Sequence, residues 1–378
     1  MSEIKTYFDD KESAMIDLLR DLIEIESPSR NKAAVDNMSQ RIAELFTEHG
    51  ASVEVIAREA VGDIVLGKWN ADGTGKPILI VSHMDTVWDV GAVAARPIRI
   101  EDDGRLYGPG AVDMKGGIVI SIFAIEALIA RGELPNRPIW YLATSDEEIG
   151  SKHSKDLIEE LAQQSALVLV TEPPTGDGSL KTWRKGTASY TMTITGKSAH
   201  AGNEPEMGIN AIIEFAQQAL DLNKLNDLKY GTSVSVTVVN GGNASNVIPD
   251  QVTARLDVRA LSVPAYEKVH RAIMDRMPFM PGAQVDMLRN HHRPPMERGD
   301  GKAFVQAQGI AKNIGMTIRE DGAGGGSDGN FTAALGIPTL DGLGAEGGGL
   351  HALHEHILIS SLPRKAALMA AIIRDWQD

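Results

Sequence analysis

A chain of 378 residues with 43% hydrophobic content is longer than one hydrophobic core usually serves, so two domains, or one domain with a large insertion, are expected. A net charge of −14 with no dense Lys/Arg run argues against nucleic acid as the main partner, while local cations can still attract a small anionic substrate. The absence of cysteine excludes disulfides, Cys-ligated zinc and thiol nucleophiles, and leaves His, Asp and Glu as metal ligands.

The N-terminal stretch MSEIKTYFDDKESAM is acidic and polar and lacks the basic and apolar regions of a signal peptide, so a cytoplasmic protein is expected. No apolar run approaches the roughly 20 residues needed to cross a bilayer, and no membrane partner is expected. Residues 10–25 and 31–48 carry apolar side chains at helical spacing, with Gly50 ending the second helix. The runs 52–56, 63–67 and 77–83 read as strands, and KPILIVS is apolar enough to be buried on both faces. A helix begins near Lys115. The strand 138–144, a helix over 151–163 and the strand 166–170 complete an alternation typical of an α/β layer.

From about Gly186 the texture changes to strands of alternating polar and apolar residues, TASYTMTITG, SVSVTVVN and VTARLDVRAL, with helices at 208–222 and 264–276. Such strands predict an antiparallel sheet with one open face. The α/β texture returns after 292–295, with a helix from about 301, a glycine-rich loop, the short strand IPTLDG and a final helix through 360–376. The expected fold is therefore α/β: a catalytic domain over 1–186 and 295–378, with a mixed sheet flanked by helices, and an inserted α+β domain over 187–294. The glycines at 322–329 and 342–349 read as loop punctuation.

Five segments carry residues suited to chemistry. His83 and Asp85 end the strand PILIVS on the same side, where His83 can bind metal while Asp85 holds its other ring nitrogen; the plainer reading is an ordinary strand-end histidine beside a turn aspartate. Asp113 closes the tight loop GPGAVD before a helix, where capping is the commonest use of aspartate. Glu147 and Glu148 follow the buried strand PIWYLAT, either as a solvated acidic turn or as adjacent carboxylates that call for a positive neighbour. Glu172 follows ALVLV, again at a strand terminus, where open α/β sheets build their sites. His351, His354, Glu355 and His356 cluster near the C-terminus, and at least one of His354 and His356 reads as surface. Imidazole and oxygen donors without sulfur fit zinc, manganese or cobalt. A carboxylate between two ions with a spare glutamate beside it forms a co-catalytic site with its own proton shuttle.

The motifs HMDTV, GPGAVDMKGG, SDEEIG, TEPP and HALHE, in that order and with a block opening at KGTASYTMTITGKSAHAG, resemble those of the dizinc exopeptidases. That family includes carboxypeptidase G, acetylornithine deacetylase and succinyl-diaminopimelate desuccinylase. GPG, GGNASNVIP and the RPP at 293–295 make the likeness strongest to glutamate carboxypeptidases of the carboxypeptidase G kind. The resemblance implies two zinc ions, one on His83 and Glu172, the other on Glu148 and His351, with Asp113 bridging. It further implies Glu147 as general base, Asp85 orienting His83, and His200 as an oxyanion donor supplied to the partner chain of a homodimer formed through the inserted domain. Arg259, Arg293 and Asn246 are the candidates for binding a substrate carboxylate. Ala352 and His354 stand where the family usually has Ser or Thr and Asn or Asp, so a different pocket wall is expected.

The expected activity is metal-dependent hydrolysis of an amide bond next to a free carboxylate, releasing a C-terminal amino acid, glutamate first, from a peptide or N-acyl amino acid. An N-acyl amino acid deacylase or a dipeptidase is the alternative. A sugar-binding or structural protein of the same α/β shape would lack the Glu147-Glu148 pair and the spaced histidines.

Overall fold

The computed structural model describes residues 3–378. After a short helix at Glu3–Asp9, the chain forms helices α1 (Glu12–Glu24) and α2 (Lys32–Glu48), then strands β1 (Ser52–Ile56), β2 (Ile64–Trp69) and β3 (Ile78–His83). Helix α3 (Gly116–Ala130), strand β4 (Ile139–Thr144), helix α4 (Lys155–Gln164), and strands β5 (Leu167–Val170) and β6 (Leu180–Arg184) follow. Next come β7 (Gly186–Thr195), α5 (Ala211–Asn223), β8 (Ser233–Gly241), β9 (Gln251–Ala260), α6 (Val263–Met274) and β10 (Gln284–Arg293). The chain ends with α7 (Lys302–Asn313), β11 (Glu320–Ala323), β12 (Thr339–Asp341) and α8 (Ser361–Asp375). Among the described residues no helix is long and apolar enough to cross a membrane.

Two compact units result. The first comprises the chain up to Trp183, Arg298–Ala323 and Ser327–Asp378, and the second Arg184–Glu297 with Gly324–Gly326. In the first, eight strands form one mixed sheet in the order β1-β2-β4-β3-β5-β12-β6-β11. Every residue of β3 is buried, because alternate side chains enter different cores. Ile78 and Ile80 pack toward α1, α2, α3 and α8, while Leu79 and Val81 pack with Leu142, Ile158 and Phe331 on the other face. Each such side chain contributes roughly 1.5–3 kcal/mol by leaving water. Helix α3, with the sequence GGIVISIFAIEALIA, is apolar around its circumference with Glu126 as its one charged residue, which suits a helix largely enclosed by its neighbours.

In the second unit, four antiparallel strands run in the order β8-β9-β7-β10. Ala188, Tyr190, Met192 and Ile194 of β7 and Val252, Leu256 and Val258 of β9 face inward with Tyr266 and Ile273 of α6. The opposite face is polar. Two of these strands, β7 and β9, follow the alternation legible in the sequence throughout; in β8 and β10 register shifts, between Val236 and Val238 and between Arg289 and His291, interrupt the period. Within the second unit the Arg184 guanidinium donates to the carbonyls of Gly325 and Gly326 at 3.2 and 3.4 Å.

Candidate metal centre

Strands β3, β4 and β5 are adjacent and parallel, so their C-terminal ends share one edge of the sheet. His83 ends β3, Glu147 and Glu148 follow β4, and Glu172 follows β5, which brings residues far apart in sequence to one place. Asp113 reaches the same edge from the irregular turn Ala111–Lys115, and His351 from the glycine-rich turn after Gly349.

The imidazole of His83 is oriented by its own strand end. Its Nδ1 lies 2.9 Å from the backbone carbonyl of Asp85 and 3.6 Å from the Asp85 carboxylate, so the carbonyl is the nearer acceptor. Donation through Nδ1 leaves Nε2 to face Asp113 Oδ1 at 3.2 Å and Glu172 Oε1 at 3.6 Å. The Asp85 carboxylate has a different set of donors, accepting from the Ser29 hydroxyl at 2.6 Å and from the Glu147 and Glu148 amides, each at 3.2 Å. It thereby holds the single 3₁₀ turn Glu147–Ile149 that presents both glutamates.

Asp113 is not the cap of α3, since the helix begins three residues later and Asp113 itself has extended backbone angles. One of its oxygens faces His83, and the other lies 3.3 Å from Nε2 of His351. That nitrogen is also 3.2 Å from Glu148 Oε2. His351 holds a left-handed φ of +57°, a conformation that L residues adopt at some cost and that aims its ring at the acids. The turn that carries His351 and Glu355 is not helical. His354 is exposed, and the ring of His356 lies against Tyr107.

Ligand atoms of His83, Glu147 and Glu172 lie within 4.8 Å of one another, as do those of His83, Asp113 and Glu148. So many buried carboxylates call for positive charge. Burial works against ionising Asp113, yet His351 and His83 hold its pKa well below the carboxylate range. The carboxylates of Asp113 and Glu148 push His351 up to about 10. Burial pushes Glu148 up, and one of its oxygens, Oε1, is buried without a hydrogen-bond partner. An orphaned carboxylate oxygen among imidazoles and acids fits a hard or borderline cation such as zinc, manganese or cobalt.

The remaining expected site residues belong to the second unit. His200 pairs with Val247, and the amide of Ala201 donates to Asn246 at 2.9 Å, so His200 and Asn246 are neighbours. The amides of Gly202 and Asn203 both donate to Nδ1 of His200, at 3.1 and 3.0 Å, which leaves its N–H on the exposed Nε2. Arg259 and Arg293 lie in one row of the sheet, each opposite Thr187. Arg259 is held in a two-point pair by Asp257, both bonds at 2.8 Å. Ser29 and Trp88, which no sequence motif singled out, support the centre through hydrogen bonds, and Glu355, legible only as part of the C-terminal histidine cluster, does so too.

A mixed sheet with imidazoles and carboxylates gathered beyond its parallel strands forms a candidate metal centre of the α/β kind. The chain belongs to peptidase family M20/M25/M40, whose model matches residues 79–375. It is 33% identical to carboxypeptidase G2 of Pseudomonas sp. (strain RS-16) over 375 residues, covering 97% of this chain and 90% of the relative. It is 28% identical to the succinyl-diaminopimelate desuccinylase of Rhodospirillum centenum, covering 96% and 97% of the two chains. A Staphylococcus aureus tripeptidase shares the fold, with a TM-score of 0.79 at 24% identity over 96% of this chain and 98% of that one. So does a metallo-carboxypeptidase of Sulfolobus solfataricus, at 0.75 and 19% over 95% and 98%. The chain is a metallopeptidase-type amidohydrolase.

Proposed function

We propose that this protein uses two zinc ions to hydrolyse the amide bond that joins an acyl or peptidyl group to a C-terminal glutamate. The observation that carries the two-ion reading is Asp113, which presents one carboxylate oxygen to each of two imidazoles. In this reading His83 and Glu172 would hold one ion and Glu148 and His351 the other, with Asp113 shared between them. Bound zinc supplies Lewis acidity, polarising the scissile carbonyl and lowering the pKa of water toward about 7. Glu147, fixed by the Asp85 carboxylate, accepts the proton of the attacking water and returns it to the departing nitrogen.

Recognition of the substrate carboxylate falls to Arg293 and Arg259, with Asn246 nearby His200. Burial and the two guanidiniums keep the pKa of His291 below its ordinary value, a sign of local positive potential beside this row. Pairing through the second unit is proposed because its edge strand β8 and helix α5 expose Val238, Val239, Ile213 and Leu220. In such a dimer the Nε2–H of His200 serves the partner chain's reaction as oxyanion donor.

The test is a panel of N-acyl glutamates, other N-acyl amino acids, acetylornithine, succinyl-diaminopimelate and dipeptides, assayed with zinc, manganese and cobalt. Acyl-glutamates should show the highest kcat/KM. Faster turnover of acetylornithine or succinyl-diaminopimelate would move the protein to the deacylase reading, and a preference for dipeptides to the dipeptidase one.

A further inference from the structure

We infer that Glu355 is a positioning residue that sets metal affinity by holding the loop of Asp113, an inference that rests on the metal-centre reading above. Glu355 is 1% exposed, and both of its oxygens are engaged. Oε2 accepts from the Trp88 indole at 2.7 Å and the Gly110 amide at 2.9 Å, and Oε1 from the amides of Val112 and Asp113 at 3.1 and 3.2 Å. A carboxylate offers about four acceptor positions. Four N–H donors therefore saturate it and leave no lone pair for a cation, so its place is behind the ligands rather than among them.

The three segments that Glu355 ties are among those that bear the centre. Trp88 lies in the loop that follows His83 and Asp85. Gly110, Val112 and Asp113 form the turn whose last side chain faces both imidazoles. Glu355 itself ends the turn that carries His351, and its backbone carbonyl accepts from Gly108 at 3.3 Å. That turn closes tightly at Gly349, where φ is +76° and a Cβ would come within 2.9 Å of the Glu355 backbone. The amide of Asp113 is thus held by one charge-assisted bond, and its side chain is delivered from a fixed Cα.

Neither of the side chains nearest to glutamate in shape or charge can do this. Glutamine has the same shape, but whichever oxygen becomes NH₂ turns a donor toward two N–H groups, and flipping the amide only transfers the conflict to the other pair. Aspartate is shorter by one carbon, about 1.5 Å, and cannot span the three segments. Substitution of groups that orient metal ligands typically weakens metal binding by about 10–100-fold.

The experiment compares metal-free wild-type protein with Glu355→Gln, Glu355→Asp and Trp88→Phe by zinc titration against a chromophoric chelator, together with visible spectra of the cobalt-loaded forms. Both Glu355 variants should reach the wild-type stoichiometry at saturation, with an affinity at least about tenfold weaker and an altered cobalt spectrum. Trp88→Phe, which removes one donor and leaves the carboxylate, should show a smaller loss in the same direction. Wild-type affinity and spectrum in a folded Glu355 variant would overturn the inference. So would a full equivalent of metal missing at saturation, because that would make Glu355 a ligand. If the Glu355 variants do not fold, unchanged zinc affinity in Trp88→Phe overturns it instead. Wild-type protein that takes up no metal would refute the metal centre itself, a different outcome from failure of the clamp.

Discussion

Replacing Gly117 with alanine puts a methyl group where the start of α3 meets the strand end that delivers Glu172. The added Cβ would lie 2.1 Å from the carbonyl oxygen of Thr171, against 3.4 Å or more for an ordinary contact. Helix and strand end must therefore part by more than about an ångström, since the obstacle is backbone and not a flexible side chain. Overpacking costs about 1–3 kcal/mol, and a rigid obstacle argues for the upper end, about 3 kcal/mol. Without the clash, the higher helix propensity of alanine would stabilise the protein by up to about 1 kcal/mol, so the sign of the change is diagnostic. A displacement of about 1 Å at a ligand-bearing segment is expected to lower turnover by about a hundredfold. Urea unfolding of the metal-free protein measures the first effect, and metal content with steady-state turnover the second. A Gly117→Ala protein that is as stable as wild type, or more so, and that holds its full metal complement would refute the reasoning.

Glu147→Gln removes the proton acceptor while keeping the shape, so turnover should fall at least about a hundredfold, or 2.7 kcal/mol in barrier, with metal content unchanged. Because Glu147 also lies within ligand distance of His83 and Glu172, loss of an ion in that variant would reassign it as a ligand. Mixing the inactive Glu147→Gln and His200→Ala chains should restore activity through heterodimers, and no recovery despite demonstrated subunit exchange would confine His200 to its own chain. Away from the centre, His49 lies 3.7 Å from Glu126, which raises the pKa of the imidazole, while His49 and then Lys11 hold Glu126 down to about 2. Glu126 stays ionised above pH 5, so the contribution of His49 is full below its ordinary pKa of 6.5 and is lost as pH rises through the raised folded value. His49→Gln should then destabilise the protein by about 0.5–1 kcal/mol more at pH 5.5 than at pH 9, after allowance for partial solvent screening. Equal destabilisation at the two pH values in urea unfolding would show that the pair contributes nothing.

What the sequence determined by itself are features written within short stretches. The fully apolar run of β3 and the alternation of β7 and β9 follow from which faces are buried, and burial dictates residue type along each strand. The acids and His83 at strand ends were legible for the same reason, because a polar residue that closes a buried strand stands out against it. Tertiary structure alone decided the rest. β10 is interrupted by its bulge, and β6, with the sequence LKTWR, is buried only because its neighbours cover it. Asp113 reads locally as a helix cap, yet its two oxygens meet imidazoles 30 residues before it and far beyond it in the chain. Gly344 reads as loop punctuation, whereas a Cβ there would sit 2.2 Å from the Thr171 carbonyl, on the segment that Gly117 also crowds. Glu355 looks like one more charge in a histidine-rich turn until the fold brings four N–H donors to its carboxylate. Close approach and hydrogen-bond saturation are properties of space between distant segments, and no local pattern of residues encodes them.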